Sequence, residues 1–348
     1  MNTDKTSIDN YPLPARILFY STAVVILTIG MREISGVLVP IFFSIFAFLI
    51  FAPLVNWFER RDVPGPISIG LVIAFFIIIA TSTVLLVAGS LLQLSEQIPG
   101  YQTQFLNFIQ GFEHYMPVSD VSSFEEILRD IAVFLLGLTA GILTGALNAG
   151  TTISLIIIIT TTFLLLDAAG ALRRIQRRAV TQQILILRVI ELGKEVVNYI
   201  LIRAEINLIA GIGTTILLLI GRIDFAILWG FLTFLFGYIP FLGFILAAFP
   251  PVLLALFKYG PLGALIILAG VWLINEFVES VVFPSFAGKS LKLSTSIVFL
   301  SLLYWSFVLG PSGALIAVPL TMVVKMIMES YDDTLWMAEL MESGGNKE

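Results

Sequence analysis

Cysteine is absent from all 348 residues, which excludes disulfides, thiolate metal sites and cysteine nucleophiles. Histidine occurs once, at His114, so a histidine metal cluster and a Ser-His-Asp triad are excluded as well. Charge is scarce too. Only 12% of residues are charged against 58% hydrophobic, where a soluble domain carries roughly a quarter charged. That leaves too little polar surface to cover a water-facing globule, and a mean hydropathy of +1.00 agrees. The net charge of -5 is spread along the chain and gives no basis for a nucleic-acid partner. No phosphate-binding glycine loop, metal-ligand pair or hydrolase elbow appears. The chain is therefore expected to be no enzyme, to need no cofactor and not to pump at the expense of ATP.

What is present is long apolar runs. A membrane span needs roughly 20 mostly apolar residues, and residues 15–31, 36–55, 66–92, 146–166, 204–221 and 262–282 qualify. The first run has no small-x-small cleavage site and is followed at once by a second apolar run, so it reads as a span and not a signal peptide. Arg173, Arg174, Arg177, Arg178, Arg188, Lys194 and Arg203 crowd one connection, which the positive-inside rule makes cytoplasmic. The acidic connection 93–145 then faces outside, and both termini face the cytoplasm of a bacterial-type inner membrane. Tyr101, Phe105, Phe108 and Phe112 recur at helical spacing there, which predicts a small helical cap.

Two apolar stretches do not behave as single spans. Residues 224–258 are cut by Gly237, Pro240 and Gly243, and residues 294–325 by Gly310, Pro311 and Gly313. In the first, Phe236 precedes Pro240 by four residues and the stretch ends at Lys258. In the second, Phe307 precedes Pro311 by four and the stretch ends at Lys325. Each follows a full span, which outlines a duplicated unit of span plus broken hairpin. Proline removes a backbone donor, and the freed groups must be satisfied within the protein or by water. Broken helices repeated with inverted topology are how many secondary transporters build a substrate site. The expected fold is an all-α integral membrane protein of six to eight transmembrane helices, with two broken or re-entrant hairpins in an inverted repeat.

Ionisable groups at membrane depth are few, and such groups tend to be functional. Glu205 and Asn207 open the fifth predicted span, where interfacial placement accounts for them. Arg222 and Asp224 fall in a short outer turn and read as a solvated pair. Asn275, Glu276 and Glu279 lie inside an apolar stretch, Asn275 and Glu279 at i and i+4, Glu276 and Glu279 at i and i+3. Two carboxylates so close could share a proton, which suits proton-coupled transport.

Several of these segments resemble one known family. Residues 237–243 read Gly-Tyr-Ile-Pro-Phe-Leu-Gly, 247–251 Ala-Ala-Phe-Pro-Pro and 253–256 Leu-Leu-Ala-Leu. Pro-Ser-Phe-Ala-Gly at 284–288, Leu-Ser-Thr at 293–295, Val-Phe-Leu-Ser-Leu at 298–302, Leu-Gly-Pro at 309–311 and Ala-Val-Pro-Leu-Thr at 317–321 follow in order. Upstream, Phe-Leu-Leu-Leu-Asp at 163–167 leads into Arg173 and Arg174. The pattern, from about Val37 to Glu329, is similar to the autoinducer-2 exporter family. The resemblance implies a transporter whose relatives carry diverse cargoes, autoinducer-2 among them, with some members resembling sodium–proton antiporters. It places Asn275 at a recurrent polar position and Pro240, Gly243, Pro311 and Gly313 on helix breaks. Where the family commonly carries Asn, this chain has Gly237, and where it carries a further polar residue, Phe241, so this tip is expected to be less polar.

The expected organisation is a scaffold at 1–92, an outer helical segment at 93–145, a span with an Arg-rich cytoplasmic helix at 146–203, a transport half at 204–330 and a tail at 331–348. The function expected is export of a small organic solute driven by a proton or sodium gradient. The alternatives are a sodium–proton antiporter and a channel-like assembly without coupling. The partners expected are a small-molecule or ion substrate, the bilayer and, from the small-residue patch 139–152, further copies of the chain.

Overall fold

Inside hydrocarbon every backbone donor and acceptor must be satisfied within its own segment, so apolar runs of this length fold as helices. The structure, a computed structural model, describes residues 12–113, 130, 155–167, 183–287 and 293–342, and among these every regular element is helical. Four helices are α1 (Leu13–Glu33), α2 (Ser35–Glu59), α3 (Gly65–Glu113) and α4 (Leu155–Asp167). The long helix α5 (Gln183–Ile220) follows. Beyond it come α6 (Ala226–Phe236), α7 (Leu242–Phe277), a π-helical turn at Val278–Val282 and α8 (Phe283–Ala287). The last four are α9 (Thr295–Leu309), α10 (Pro311–Leu315), α11 (Ala317–Glu329) and α12 (Leu335–Leu340).

Four stretches are long and apolar enough to cross a bilayer: Ser35–Glu59, Gly65–Leu94, Gly193–Ile220 and Leu242–Ser285. Their outer faces are apolar. Ile78, Leu85, Ile216, Ile220, Leu262 and Leu265 stand exposed, a surface untenable in water and suited to lipid. Polar glue joins the N-terminal helices: the Thr161 hydroxyl of α4 reaches the Ser44 carbonyl of α2 at 3.4 Å, and Thr28 of α1 meets the Tyr304 hydroxyl of α9 at 3.1 Å.

Three findings differ from the sequence expectation. Helix α3 does not stop at residue 92. It runs on through Pro99 and Gly100 to Glu113, 49 residues in all, so the Tyr101–Phe112 stripe belongs to the same helix as the span. The fifth span begins at Gly193 and not at 204, which puts Arg203 inside it. Asp224 is bonded to Lys258, at 3.2 Å, across the base of the first broken stretch. The patch 139–152, the first residues of the 146–166 run and the arginines 173–178 lie outside the described residues.

Both broken stretches are antiparallel helix pairs. In the first, α6 has 11 residues, about 16 Å of helix against a hydrocarbon core of about 30 Å. The chain turns over residues 237–241 and comes back along α7 to Lys258, whose ammonium donates to the Arg222 carbonyl at 2.7 Å and meets Asp224. Gly260, at φ 73°, then breaks α7, between the returning arm and the 262–282 stretch. In the second, α9 and α11 flank a turn that starts at Gly310, φ 68°, and Ser294 at its foot donates to the Met341 carbonyl at 2.8 Å. Each pair has a glycine pressed on a carbonyl of its outgoing arm: Gly243 at the start of the returning arm on that of Phe236, and Gly313 of the second turn on that of Trp305, contacts that a Cβ would forbid.

Helix α5 is common to both pairs. Its C-terminal half, through Leu218, shares a core with Trp229, Ala255 and Phe257 of the first pair. Its N-terminal half, through Val196 and Tyr199, shares another with Trp305, Val308 and Ala317 of the second. The pairs meet where Ile239 of the first turn packs with Leu302 of α9 and Ala314 of α10.

Candidate functional site

The turn at 237–241 exists because Pro240 has no N–H to give the Phe236 carbonyl four residues back, and Phe241, the residue whose N–H a helix would give to Gly237, sits at φ 62°, outside helical geometry. The Gly237 carbonyl is taken by a side chain instead: Arg203 Nε donates to it at 3.0 Å. The same guanidinium grips Glu279 with both of its other nitrogens, Nη2 at 2.8 Å and Nη1 at 3.1 Å. Such a fork-to-carboxylate pair is geometrically specific as well as strong. Its carbon also lies 5.5 Å from the centre of the Phe283 ring. Arg203 is 11% exposed and Glu279 37%, so the pair is shielded on one side and open on the other.

The open side is a cavity of about 550 Å³. Helix α5 contributes Tyr199 and Arg203, the turn contributes Gly237 and Phe241, α7 and its π-helical turn contribute Trp272, Asn275 and Glu279, and Thr295 closes it from α9. The walls are mostly aromatic and aliphatic with the ion pair set among them, the usual make-up of a small-molecule site. Behind the turn lies a second cavity of about 20 Å³, lined by Asn207, Thr214, Thr233, Asn275 and Glu279. Asn207 and Thr214 are buried, and neither Asn207 Nδ2 nor Thr214 Oγ1 has a hydrogen-bond partner among the described residues.

The residues singled out in the sequence separate into two groups. Asn275, Glu279, Gly237 and Pro240 come together on the large cavity, and Asn207 and Gly243 on the small one. Glu205 is exposed on the opposite face of α5. Glu276 is exposed as well and accepts a hydrogen bond from Ser280. The shared-proton arrangement expected of Glu276 and Glu279 is therefore not the one found, because each carboxylate has its own partner. The regular-helix spacing behind that expectation does not hold here, since the wider π-helical turn begins at Val278. Gly310, Pro311 and Gly313 shape the second turn and line neither cavity. The first turn is not apolar for lack of Asn at Gly237, because the Asn207 amide fills that space: a Cβ on Gly237 would fall 2.5 Å from Asn207 Oδ1.

Arg203, the hub of the site, stands in the sequence at the end of the run of basic residues assigned to the cytoplasmic side. A signal for it exists in the spacing. Tyr199, Arg203, Asn207 and Thr214 follow one another by four, four and seven residues, one polar stripe along the face of α5 that lines the two cavities.

A family model described as AI-2E family transporter matches residues 20–333. The chain is 30% identical to the AI-2 transport protein TqsA of Escherichia coli (strain K12) over 321 residues, 90% of this chain and 92% of that one. It is 26% identical to YhhT of the same organism over 333 residues, 95% of each chain. A Haemophilus influenzae protein is 29% identical over 338 residues, covering 94% of this chain and 96% of its own.

Proposed function

Because the chain belongs to the AI-2E family of transporters, a multi-pass membrane transport protein, we propose that it is a secondary transporter that moves a small organic solute outward through the cavity at the first helix break. The observation that carries this reading is the Arg203–Glu279 pair, which faces that cavity and also holds the Gly237 carbonyl of the turn. One change at Glu279 reaches the substrate site and the backbone that walls it. The two helix pairs act as re-entrant hairpins entering from opposite faces, in keeping with their packing on opposite halves of α5.

Coupling follows from charge. Arg203 is held by a carboxylate and a carbonyl. A proton on Glu279, or a cation beside it, removes the carboxylate's hold and leaves the guanidinium to a different partner, which frees the turn. A ligand moves such an equilibrium only by binding one arrangement better than the other, and the competition for Glu279 supplies that difference. The cargo best supported is an autoinducer-2-like polar solute, since TqsA is named for AI-2 and is 30% identical along nearly its whole length. On this reading the chain sits in the cytoplasmic membrane with both termini inside, as a homo-oligomer suggested by the small-residue sequence 139–152.

Uptake of labelled autoinducer-2 into everted vesicles under an imposed proton or sodium gradient tests the reading. Accumulation above equilibrium is expected, lost in Glu279→Gln and kept in Glu276→Gln. Equilibration without accumulation would replace the transporter by a channel. Sodium-stimulated proton release with no solute uptake would replace it by a cation–proton antiporter, the second reading that the small polar cavity favours.

A further inference from the structure

The geometry points to a binding site for one small alkali cation, sodium, in the cavity of about 20 Å³ behind the first turn; this rests on the transport reading above and names its coupling ion. Two polar side chains are buried there without partners: Asn207 is 2% exposed and Thr214 1%. A threonine in a helix ordinarily turns its hydroxyl back to the carbonyl four residues earlier, as Thr215 does to Gly211 at 2.8 Å and Thr233 to Trp229 at 2.8 Å. Thr214 does not. Polar atoms shut away from water in this manner carry a cost unless something binds them.

The chemistry of the lining selects what binds. Asn207, Asn275, Thr214 and Thr233 offer four neutral oxygens, Glu279 a carboxylate, and there is no nitrogen or sulfur ligand among these groups apart from the amide NH2 ends. Turning the Asn207 amide over exchanges its unpartnered Nδ2 for Oδ1. Hard oxygen donors suit a hard monovalent ion, and Glu279, paired here with Arg203, turns its charge to that ion only as the guanidinium lets go. The C-terminal end of helix α6 lies at the same cavity, with the Thr233 carbonyl taken by the Gly237 N–H and the Gly237 carbonyl by Arg203, so what it adds is the helix dipole and not a free carbonyl. An anion is disfavoured there on both counts. Volume allows a single occupant of roughly the size of a water molecule.

Glu279 lines both cavities. A cation in the small one competes with Arg203 for its carboxylate, and Arg203 is the group that holds the turn through Gly237. Ion occupancy and the shape of the solute cavity are in this way one equilibrium.

The test uses the full-length protein in lipid nanodiscs with radioactive sodium as the probe, and potassium and choline as competitors. Saturable sodium binding that neither competitor displaces at equal concentration is expected. Thr214→Val and Thr233→Val, each keeping side-chain shape while removing one oxygen, should each weaken it by about tenfold or more. A fold check by thermal unfolding accompanies both, so that if one variant fails to fold the other decides. Absence of saturable binding, or binding unchanged in both variants, overturns the site and leaves the cavity to a water molecule. Solute accumulation driven by a proton gradient in sodium-free vesicles would keep the transport reading while removing this ion. Intact sodium binding in a protein that accumulates no solute would do the reverse.

Discussion

The two helix pairs share a plan and differ in what holds them. The second pair has its two arms bonded directly to each other. Trp305 Nε1 of its outgoing arm donates to Thr321 Oγ1 of its returning arm at 3.0 Å, in a fully buried place. Lys325 at its foot is 8% exposed and binds Glu329 and Glu342, each at 2.9 Å. The first pair is tied to its neighbours. The Thr233 hydroxyl bonds within its own helix, the turn is held by Arg203 of α5, and Arg203 is held in turn by Glu279 beyond α7. Lys258 at its foot is 29% exposed. A turn held from outside through an ion pair can be let go by a proton or an ion. A turn whose arms are bonded to each other has no such release. On the proposed reading, the first pair serves transport and the second support.

Breaking the external tie should have the largest effect. Arg203→Met leaves Glu279 and the Gly237 carbonyl without their partner, and removal of one member of a buried pair costs about 3–5 kcal/mol. The lower end applies because Glu279 is 37% exposed. Unfolding midpoints in nanodiscs should fall accordingly and transport should vanish. Glu279→Gln added to Arg203→Met should recover part of the stability and none of the transport. If Arg203→Met transports normally, the contrast drawn between the hairpins is wrong.

The contrast sharpens with one substitution in each hairpin. Gly237→Ala brings a methyl against the Asn207 amide, and overpacking of this kind costs about 1–3 kcal/mol. Its main signature should be a raised KM and lowered transport rate in vesicles. Trp305→Phe removes one buried hydrogen bond of about 1 kcal/mol, while the Thr321 hydroxyl keeps its own bond to the Ala317 carbonyl at 2.8 Å. Stability should fall by a similar amount with transport nearly unchanged. Equal transport defects in the two variants would erase the division of labour.

The smallest effect is expected at the foot of the first pair. Lys258→Met removes a partly exposed ion pair, worth about 0–1 kcal/mol. Chemical denaturation should barely register it, whereas Lys325→Met, at the buried foot of the second, should register clearly.

The hairpins were legible in the sequence because proline and glycine act locally. Pro240 and Pro311 remove donors wherever they sit, and Gly243 and Gly313 permit contacts that no other residue would. The hub was not legible, for two reasons. Arg203 stands at the edge of an arginine-rich segment, and with Glu205 and Asn207 beside it the local hydropathy drops, so an apolar run read from the sequence starts at 204, one residue past it. Glu276 and Glu279 were paired on the assumption of an unbroken α-helical period, which the π-helical turn at Val278–Val282 sets aside. The extent of α3 was missed because polarity marks where the bilayer ends and carries no instruction for a helix to stop.

Helix α5 sets a rule of phase for the chain. It faces one hairpin through Val196 and Tyr199 and the other through Leu218, with Arg203 between. Each residue of helix advances the facing direction by about 100°. Inserting a single residue between Tyr199 and Leu218 would therefore turn one hairpin's seat away from the other's by more than a right angle. Seven residues, very nearly two whole turns, would restore the direction while lengthening the helix. Substitutions along α5 alter contacts one at a time, but a change in its count alters every contact beyond it at once, so outside its polar stripe this helix is bound more closely in length than in composition.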